Sequence, residues 1–508
     1  MNDRINKEAR PALESLLSGL NRDQLQSLLL KLAEQEPSFI STIENQVALL
    51  RNSSSQPTTP PQQATPKPFI AVDTKAVRRQ VRSSIHSLDR MRSSEGYWHV
   101  GAVVNEIGQL VEQAWALIKA DDSRQALTVL EAITEEYMSE WENLDDSDGE
   151  ASGFFSDLGT AWTEAILSAD LTREERERWA DQFAAWQEEL DAYGVDEAFD
   201  APQTAALDGW DYPPLQRVLQ GTITEQGAWE GEAPDHADDL TEARLNILER
   251  RGRFQEYLYL AEAEGHTEEY VTMLVRLGRV EEAISYGRQY LATTDEALAL
   301  AKALYEHGEY EQSLQIAEHG LSLEGRKASL AKWLRDQALS MGEKIRALPA
   351  AEAAFRDEIS LENYQQVAEI AEEQWPERRT ELLNYARRTK SSYPKGQIDV
   401  FLHEGLIEDA ITAQDPYTSH ILVEQVVDAA LHAQAHLDWV IQACRKQAEY
   451  IMDRGKADLY SSAANWLTKA RAAYLALGHE EEWQSYLNEL LSQHGRKYKL
   501  VPMLKALR

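Results

Sequence analysis

The sequence predicts an all-α protein, a small N-terminal helical unit followed by an extended solenoid of stacked helical hairpins. Three observations predict it. Apolar residues recur at helical spacing along most of the 508 residues. Strand signals are weak, with no Asn-Gly turn between alternating runs. From about residue 240 a glycine-centred segment returns, its first three glycines 26 and 30 residues apart.

Residues 1–50 make the N-terminal unit. Asn21 with Gln24 is a capping-box pattern, opening a helix with Leu25, Leu28, Leu29 and Leu32 on one face. Residues 51–70 read as a linker. The stretch 52–68 holds five prolines and almost no apolar side chains, too little to offset its ordering entropy.

Residues 71–235 read as an acidic helical domain. Periodicity places helices near 74–92, 103–119, 123–142, 158–168 and 172–192, with Asp122, Asp170 and Thr172 as N-cap residues. In 74–92, Val77, Val81, Ile85, Leu88 and Met91 share one face, and Lys75, Arg79, Arg82 and His86 share the other. Residues 125–172 carry twelve acidic residues and no Lys or Arg. The basic stripe therefore reads first as a solvated face paired with these acidic helices. Its sharper reading is an anion or nucleic-acid contact.

Residues 236–508 hold the repeats. LERRGRFQEYLYLAE (248–262), LVRLGRVEEAISYGR (274–288) and LYEHGEYEQSLQIAE (304–318) align without gaps on Gly252, Gly278 and Gly308. Phe254, Val280 and Tyr310 follow two positions later, and Gly405 and Gly478 centre weaker copies. Each glycine reads as a helix end needing positive φ. The unit is then helix, tight turn, helix, and periods in this range mean hairpins of tetratricopeptide type. One hairpin does not bury its own apolar face, so neighbours stack.

Composition bounds the function. Lys plus Arg number 51 against 86 Asp plus Glu, a net charge of −35, which argues against a general nucleic-acid binder. No apolar run approaches the ~18 residues of a membrane span, and the first residues show no apolar signal core. Cys444 is the single cysteine, so no disulfide scaffold or Cys-rich metal site is expected. GLSLEGRK (320–327) has phosphate-loop spacing but carries Arg326 and Lys327 where Lys and Ser/Thr belong, so it reads as an interhelical turn. His432 and His436 sit four apart on one helix, yet zinc needs at least three protein ligands. DDSDGE (145–150) resembles part of a calcium loop but lacks both end carboxylates and reads as an acidic turn. Trp98, Trp115, Trp141, Trp162, Trp179 and Trp186 fall mostly within predicted helices, where large aromatics pack cores or line grooves. No catalytic set, metal site or cofactor pattern is found.

VDTKAVRRQVRSSIHSL (72–88), WENLDDSDG (141–149), ALDGWDYPPLQRVLQG (206–221) and the repeats together resemble the C-terminal helical region of bacterial SWIM zinc-finger proteins. LNRDQLQSLLLKLAEQEPSFISTIENQV (20–47) resembles the segment that follows the finger in that family. The CxCx(n)CxH ligand set of the finger has no counterpart here, so zinc binding is not carried over. The resemblance implies a cytoplasmic protein whose partners include a MoxR-type ATPase and a von Willebrand factor A protein.

The function expected is a non-catalytic protein–protein interaction scaffold or adaptor. Stacked hairpins present a concave face built from the first helix of each pair. Here that face is expected near 241–250, 267–277, 295–306 and 395–404, with Glu242, Arg244, Glu268, Glu269, Arg276, Glu296 and Lys302 at polar positions. Its acidic balance favours a partner with a basic or amphipathic segment. Lys75, Arg79 and Arg82 are a second contact set. The alternative is a nucleic-acid-associated regulator working with a separately encoded SWIM finger, which a steep salt dependence would reveal.

Overall fold

The computed structural model describes residues 73–89 and 96–508, all within one compact unit, Val72–Arg508. The helical unit expected at 1–50 and the linker at 51–70 lie outside the described residues, as does Met91. Among the described residues there is no strand. Thr293 opposite Glu324 is an isolated bridge.

The first helices are α1 (Thr74–Ile85), α2 (Val100–Lys119), α3 (Ser123–Glu140), α4 (Glu150–Ser168), α5 (Arg173–Asp191), α6 (Asp200–Asp208) and α7 (Pro213–Leu219). α1 forms because Val77, Val81 and Ile85 make one stripe, buried against α3. Leu88, expected on that stripe, is half-buried beyond the helix end. α4 begins eight residues before the expected 158. The acidic turn is its cap: Asp146 accepts from the backbone N–H of Ala151 at 2.8 Å and Ser152 at 3.0 Å. α5 opens on a full capping box between Thr172 and Glu175. Hydrogen bonds from Arg124 and then from the Thr172 backbone pull the Glu175 carboxyl down to about 2. Asp122 sits at the N-cap of α3 but its carboxylate takes the Gln125 side chain at 2.6 Å instead. Asp170 caps nothing, and its carbonyl accepts from Arg124.

Aromatic residues fill the centre of this block. Trp162 is fully buried, its ring centroid 4.8 Å from Trp179, 5.1 Å from Phe183 and 5.8 Å from Trp186. Its indole N–H donates to Thr134 Oγ1 at 2.9 Å, satisfying both groups away from water. Trp141 is buried as well, while Trp98 stands 79% exposed.

Eight hairpins follow: α8 (Ala237–Arg250) with α9 (Phe254–Glu264), α10 (Thr267–Arg276) with α11 (Val280–Tyr290), α12 (Thr294–Glu306) with α13 (Tyr310–Gly320), α14 (Ala328–Ser340) with α15 (Lys344–Asp357), α16 (Leu361–Ala371) with α17 (Trp375–Arg388), α18 (Lys395–His403) with α19 (Ile407–Thr412), α20 (His420–Ala433) with α21 (Leu437–Asp453), and α22 (Tyr460–Ala476) with α23 (Glu480–Gln493). α24 (Leu500–Lys505) closes the array against α22 and α23. The repeat glycines sit where expected, with φ of +67° at Gly252, +74° at Gly278, +94° at Gly308, +69° at Gly405 and +75° at Gly478. At each of the first three, the next residue donates back five positions at 2.9 Å, closing the helix end. Gly342 makes the same turn at φ +78°. Two hairpins turn without glycine, with Glu372 (φ +47°) and Gln434 (φ +54°) at positive φ.

First helices pack on first helices, α10 on α12 on α14 and α16 on α18 on α20 on α22. Small residues let the second helices α11 and α13 seat closely on the first helix α12. A Cβ on Gly320 would meet Ala297 Cβ at 2.5 Å, and one on Gly287 would meet Leu300 at 2.6 Å. The phosphate-loop look-alike is thus a helix end and turn. Thr294 N–H donates to Glu324 O at 2.8 Å, and Thr294 Oγ1 donates to Arg326 O at 3.1 Å.

The core runs across residue 235 without a break. α8 gives Leu240, Ala243 and Ile247 to the aromatic block and Leu245 and Leu248 to the array. The segment 209–214 bridges both sides. The Trp210 indole donates to Leu167 O at 2.8 Å, Arg253 lies 5.7 Å over the Trp210 ring, and Tyr212 packs on Trp229.

Candidate protein-interaction surface

The first helices α10 and α12 pack side by side, α8 is joined to α10 by an ion pair, and the three carry most of the expected contact residues. A first turn rich in acidic residues is favoured at a helix N-terminus, and α10 and α12 both begin that way, with Glu268 and Glu269 in one and Asp295 and Glu296 in the other. Stacking brings the two starts together. Burial first, and then the carboxylates of Glu269, Asp295 and Glu296, push the Glu268 pKa up, while Lys302 opposes them. Glu269 goes the other way. His266, 3.6 Å away, lowers it, and Glu269 in turn raises His266 against the cost of burial. Glu296 is the capping-box partner of Thr293, accepting its N–H at 3.1 Å.

Arg276 is exposed and pairs with Glu249 of α8 at 2.7 Å, tying two first helices together. Lys302 is exposed and makes no ion pair among the described residues. Arg244 departs from expectation. It is fully buried, with Nη2 3.5 Å from Gly209 O and no hydrogen-bond partner for Nε or Nη1. Burial lowers its pKa to about 10, with Asp208 and then Glu264 opposing the shift. It sits inside the join between block and array and offers no surface to a partner.

The basic stripe of α1 is divided. Arg78 pairs with Glu135, and Arg82 pairs with Glu136 at 2.6 Å and Glu140 at 3.6 Å, all on α3. His86 lies 3.4 Å from Glu140. Lys75 and Arg79 stay exposed, and Arg79 Nε donates only to the Lys75 carbonyl at 3.2 Å. The stripe is mainly a solvated face paired with an acidic helix.

A cleft of about 560 Å³ opens where α2 and α4 meet α8. Trp115, half-buried, stands in its lining with Glu112, Lys119, Glu242, Asn246 and Glu249. Glu164 of α4 is buried and held by Arg250 at 2.5 Å and by Asn246 at 3.4 Å.

The chain matches no protein-family model and no curated protein. It is similar to solved structures of helical-repeat type. One is a circular tandem repeat protein with novel repeat topology, at 15% identity over 85% of this chain and 89% of that one, TM-score 0.18. The yeast Tom70 is at 13% identity over 86% and 96%, TM-score 0.20. Naa15/Naa10 bound to HypK-THB is at 13% identity over 76% and 63%, TM-score 0.22.

The expected histidine pair does not share a helix. α20 ends at Ala433, and Gln434 and His436 both take positive φ before α21 begins. Among the described residues no group of three or more His, Cys, Asp and Glu is placed to hold a metal ion. Among the same residues no helix is long and apolar enough to cross a membrane. Cys444 is fully buried, and burial pushes its thiol up to about 12.

Proposed function

We propose that the chain is a non-catalytic scaffold that holds a protein partner on its first-helix face between about residues 240 and 410. The observation that carries this reading is the gathering of Glu268, Glu269, Asp295 and Glu296 at adjacent helix starts. Of the nearby cations, Arg276 is spent on Glu249. A stacked-helix surface on which carboxylates outnumber the cations beside them favours a basic or amphipathic partner segment, and long-range attraction raises its approach rate more than the final affinity. Aliphatic and aromatic anchors on the partner then supply most of the binding energy. The resemblance to the SWIM-family helical region extends the proposal to a cytoplasmic assembly with a MoxR-type ATPase and a von Willebrand factor A protein. The nucleic-acid reading has less behind it, since Arg78 and Arg82 are already paired within the fold.

The test uses the full chain. Tagged wild-type protein, an E242K/E268K/E296K variant and an E480K/E481K variant of the last hairpin are compared as baits. Partners should be retained by the wild type and the last-hairpin variant and lost from the first-helix variant. Equal retention by all three, with helix content unchanged by circular dichroism, would rule the face out.

A further inference from the structure

The proposed function leaves open where along the face a partner is anchored, and the cleft between α2, α4 and α8 answers it. Four carboxylates line this cleft, Glu112, Glu164, Glu242 and Glu249, against two cations, Lys119 and Arg250. The pairings inside it decide what remains. Arg250 is committed to the buried Glu164, and its second nitrogen donates to Ser168 Oγ at 3.0 Å. Glu249 is committed to Arg276 of the next first helix. Glu112 and Glu242, on opposite elements and both exposed, make no ion pair or hydrogen bond among the described residues. Trp115 stands among them with part of its ring open. A half-buried indole flanked by free carboxylates suits a cationic side chain, whose charge the ring face and the carboxylates both stabilise. Lys119 is the free cation of the lining, and it leaves the balance negative.

The cleft is also continuous with the proposed interaction face. Glu249 lines it and joins by its ion pair to α10, which carries Glu268 and Glu269. Resting on the scaffold reading above, we infer that this cleft seats an arginine or lysine side chain of the partner's basic segment, with Trp115 as the platform and Glu112 and Glu242 as the charge partners. The occupant is a basic peptide segment. An anion or nucleic acid would meet the two free carboxylates.

The test is fluorescence anisotropy with full-length protein and a fluorescein-labelled peptide of alternating arginine and leucine. The same peptide with citrulline for arginine is the uncharged comparison. E112Q/E242Q changes two exposed side chains and should weaken arginine-peptide binding while leaving circular dichroism unchanged. W115A should weaken it by about 2- to 30-fold, the range of a cation on an aromatic face. E480Q/E481Q removes the same charge from the last hairpin and should bind as the wild type does. If E112Q/E242Q and W115A bind normally while E268Q/E296Q binds weakly, the cleft inference fails and the scaffold reading stands. If the wild type binds neither peptide, or the last-hairpin control weakens as much as the cleft variant, the inference is overturned as well.

Discussion

Two glycines in α4 should respond to alanine with opposite sign. Gly153 is exposed, and a Cβ there meets no atom within 4 Å. Gly159 is buried one turn and a half further on, and a Cβ there would lie 2.1 Å from the carbonyl oxygen of Ala198. Alanine gains about 0.8–1.0 kcal/mol of helix propensity over glycine at either site. At Gly159 that gain meets a clash with backbone, and an ordinary carbon–oxygen contact needs roughly 3.3 Å. The opposing loop has little freedom to retreat. Gln187 accepts the Phe199 N–H at 2.8 Å and donates to the Val195 carbonyl at 3.0 Å, and Phe199 is fully buried against Phe183 and Trp186. Overpacking of this kind costs about 1–3 kcal/mol, and the higher half of that range applies where backbone must move. Gly159→Ala should therefore lose about 1–2 kcal/mol net, and Gly153→Ala should gain up to about 1 kcal/mol. Urea unfolding followed by tryptophan emission reads the difference, because Trp162, Trp179 and Trp186 surround the site. A Gly159→Ala midpoint at or above the wild type would refute the packing argument.

Trp162→Phe should destabilise the same block by about 1–3 kcal/mol, because it strands the Thr134 hydroxyl 2.9 Å from the lost indole N–H; a Trp162→Phe protein with full wild-type stability in the same urea assay would contradict this. Cys444 should resist thiol reagents in native protein at pH 8 and react on unfolding, since burial raises its pKa to about 12; rapid native labelling would show that its helix opens. His266 has a raised pKa and Glu269 a lowered one, so the pair adds stability above the unfolded carboxyl value of about 4.3 and below the unfolded imidazole value of about 6.5. That contribution is lost as pH rises through the folded His266 pKa and as it falls through the folded Glu269 pKa. In an NMR titration, Glu269→Gln should lower the His266 pKa, and no change would remove Glu269 as the cause. Gly278→Ala should cost about 1–2 kcal/mol from its positive φ alone, since its Cβ would meet nothing, and Gly278→Asn should recover part of that; equal stability of all three proteins would show the turn to be unstrained.

The array was legible because its turns demand a residue without Cβ and mark themselves at regular intervals. The hairpin at Gly342 escapes because Lys344 stands where the repeats at Gly252, Gly278, Gly308 and Gly405 place an apolar residue, and Ile345 follows one position late. The hairpins at 361–388 and 420–453 escape because no glycine marks their turns: Gln434 takes the left-handed conformation itself, and Glu372 turns with φ +47° and ψ −113°. Gly159, Gly287 and Gly320 answer to contacts with other elements, which no local pattern reveals. The same holds for the site. Spacing alone puts Glu268, Glu269 and Lys302 on the first-helix face, and the fold brings them together. Arg244 has the spacing of a surface charge on α8, but α6 and its following turn cover it from more than thirty residues upstream. The Trp115 cleft is built from three helices whose meeting depends on the packed aromatic block.

The proposed scaffold holds its partners on the first-helix side of the array. A photo-cross-linking amino acid placed at Lys302, and in a separate protein at Ile345 of the second helix α15, tests it directly. Both positions are exposed, Ile345 to 91%. A specific protein adduct is expected from position 302, suppressed by added salt at the encounter stage, and none from position 345. An adduct from position 345 with none from position 302 would contradict it.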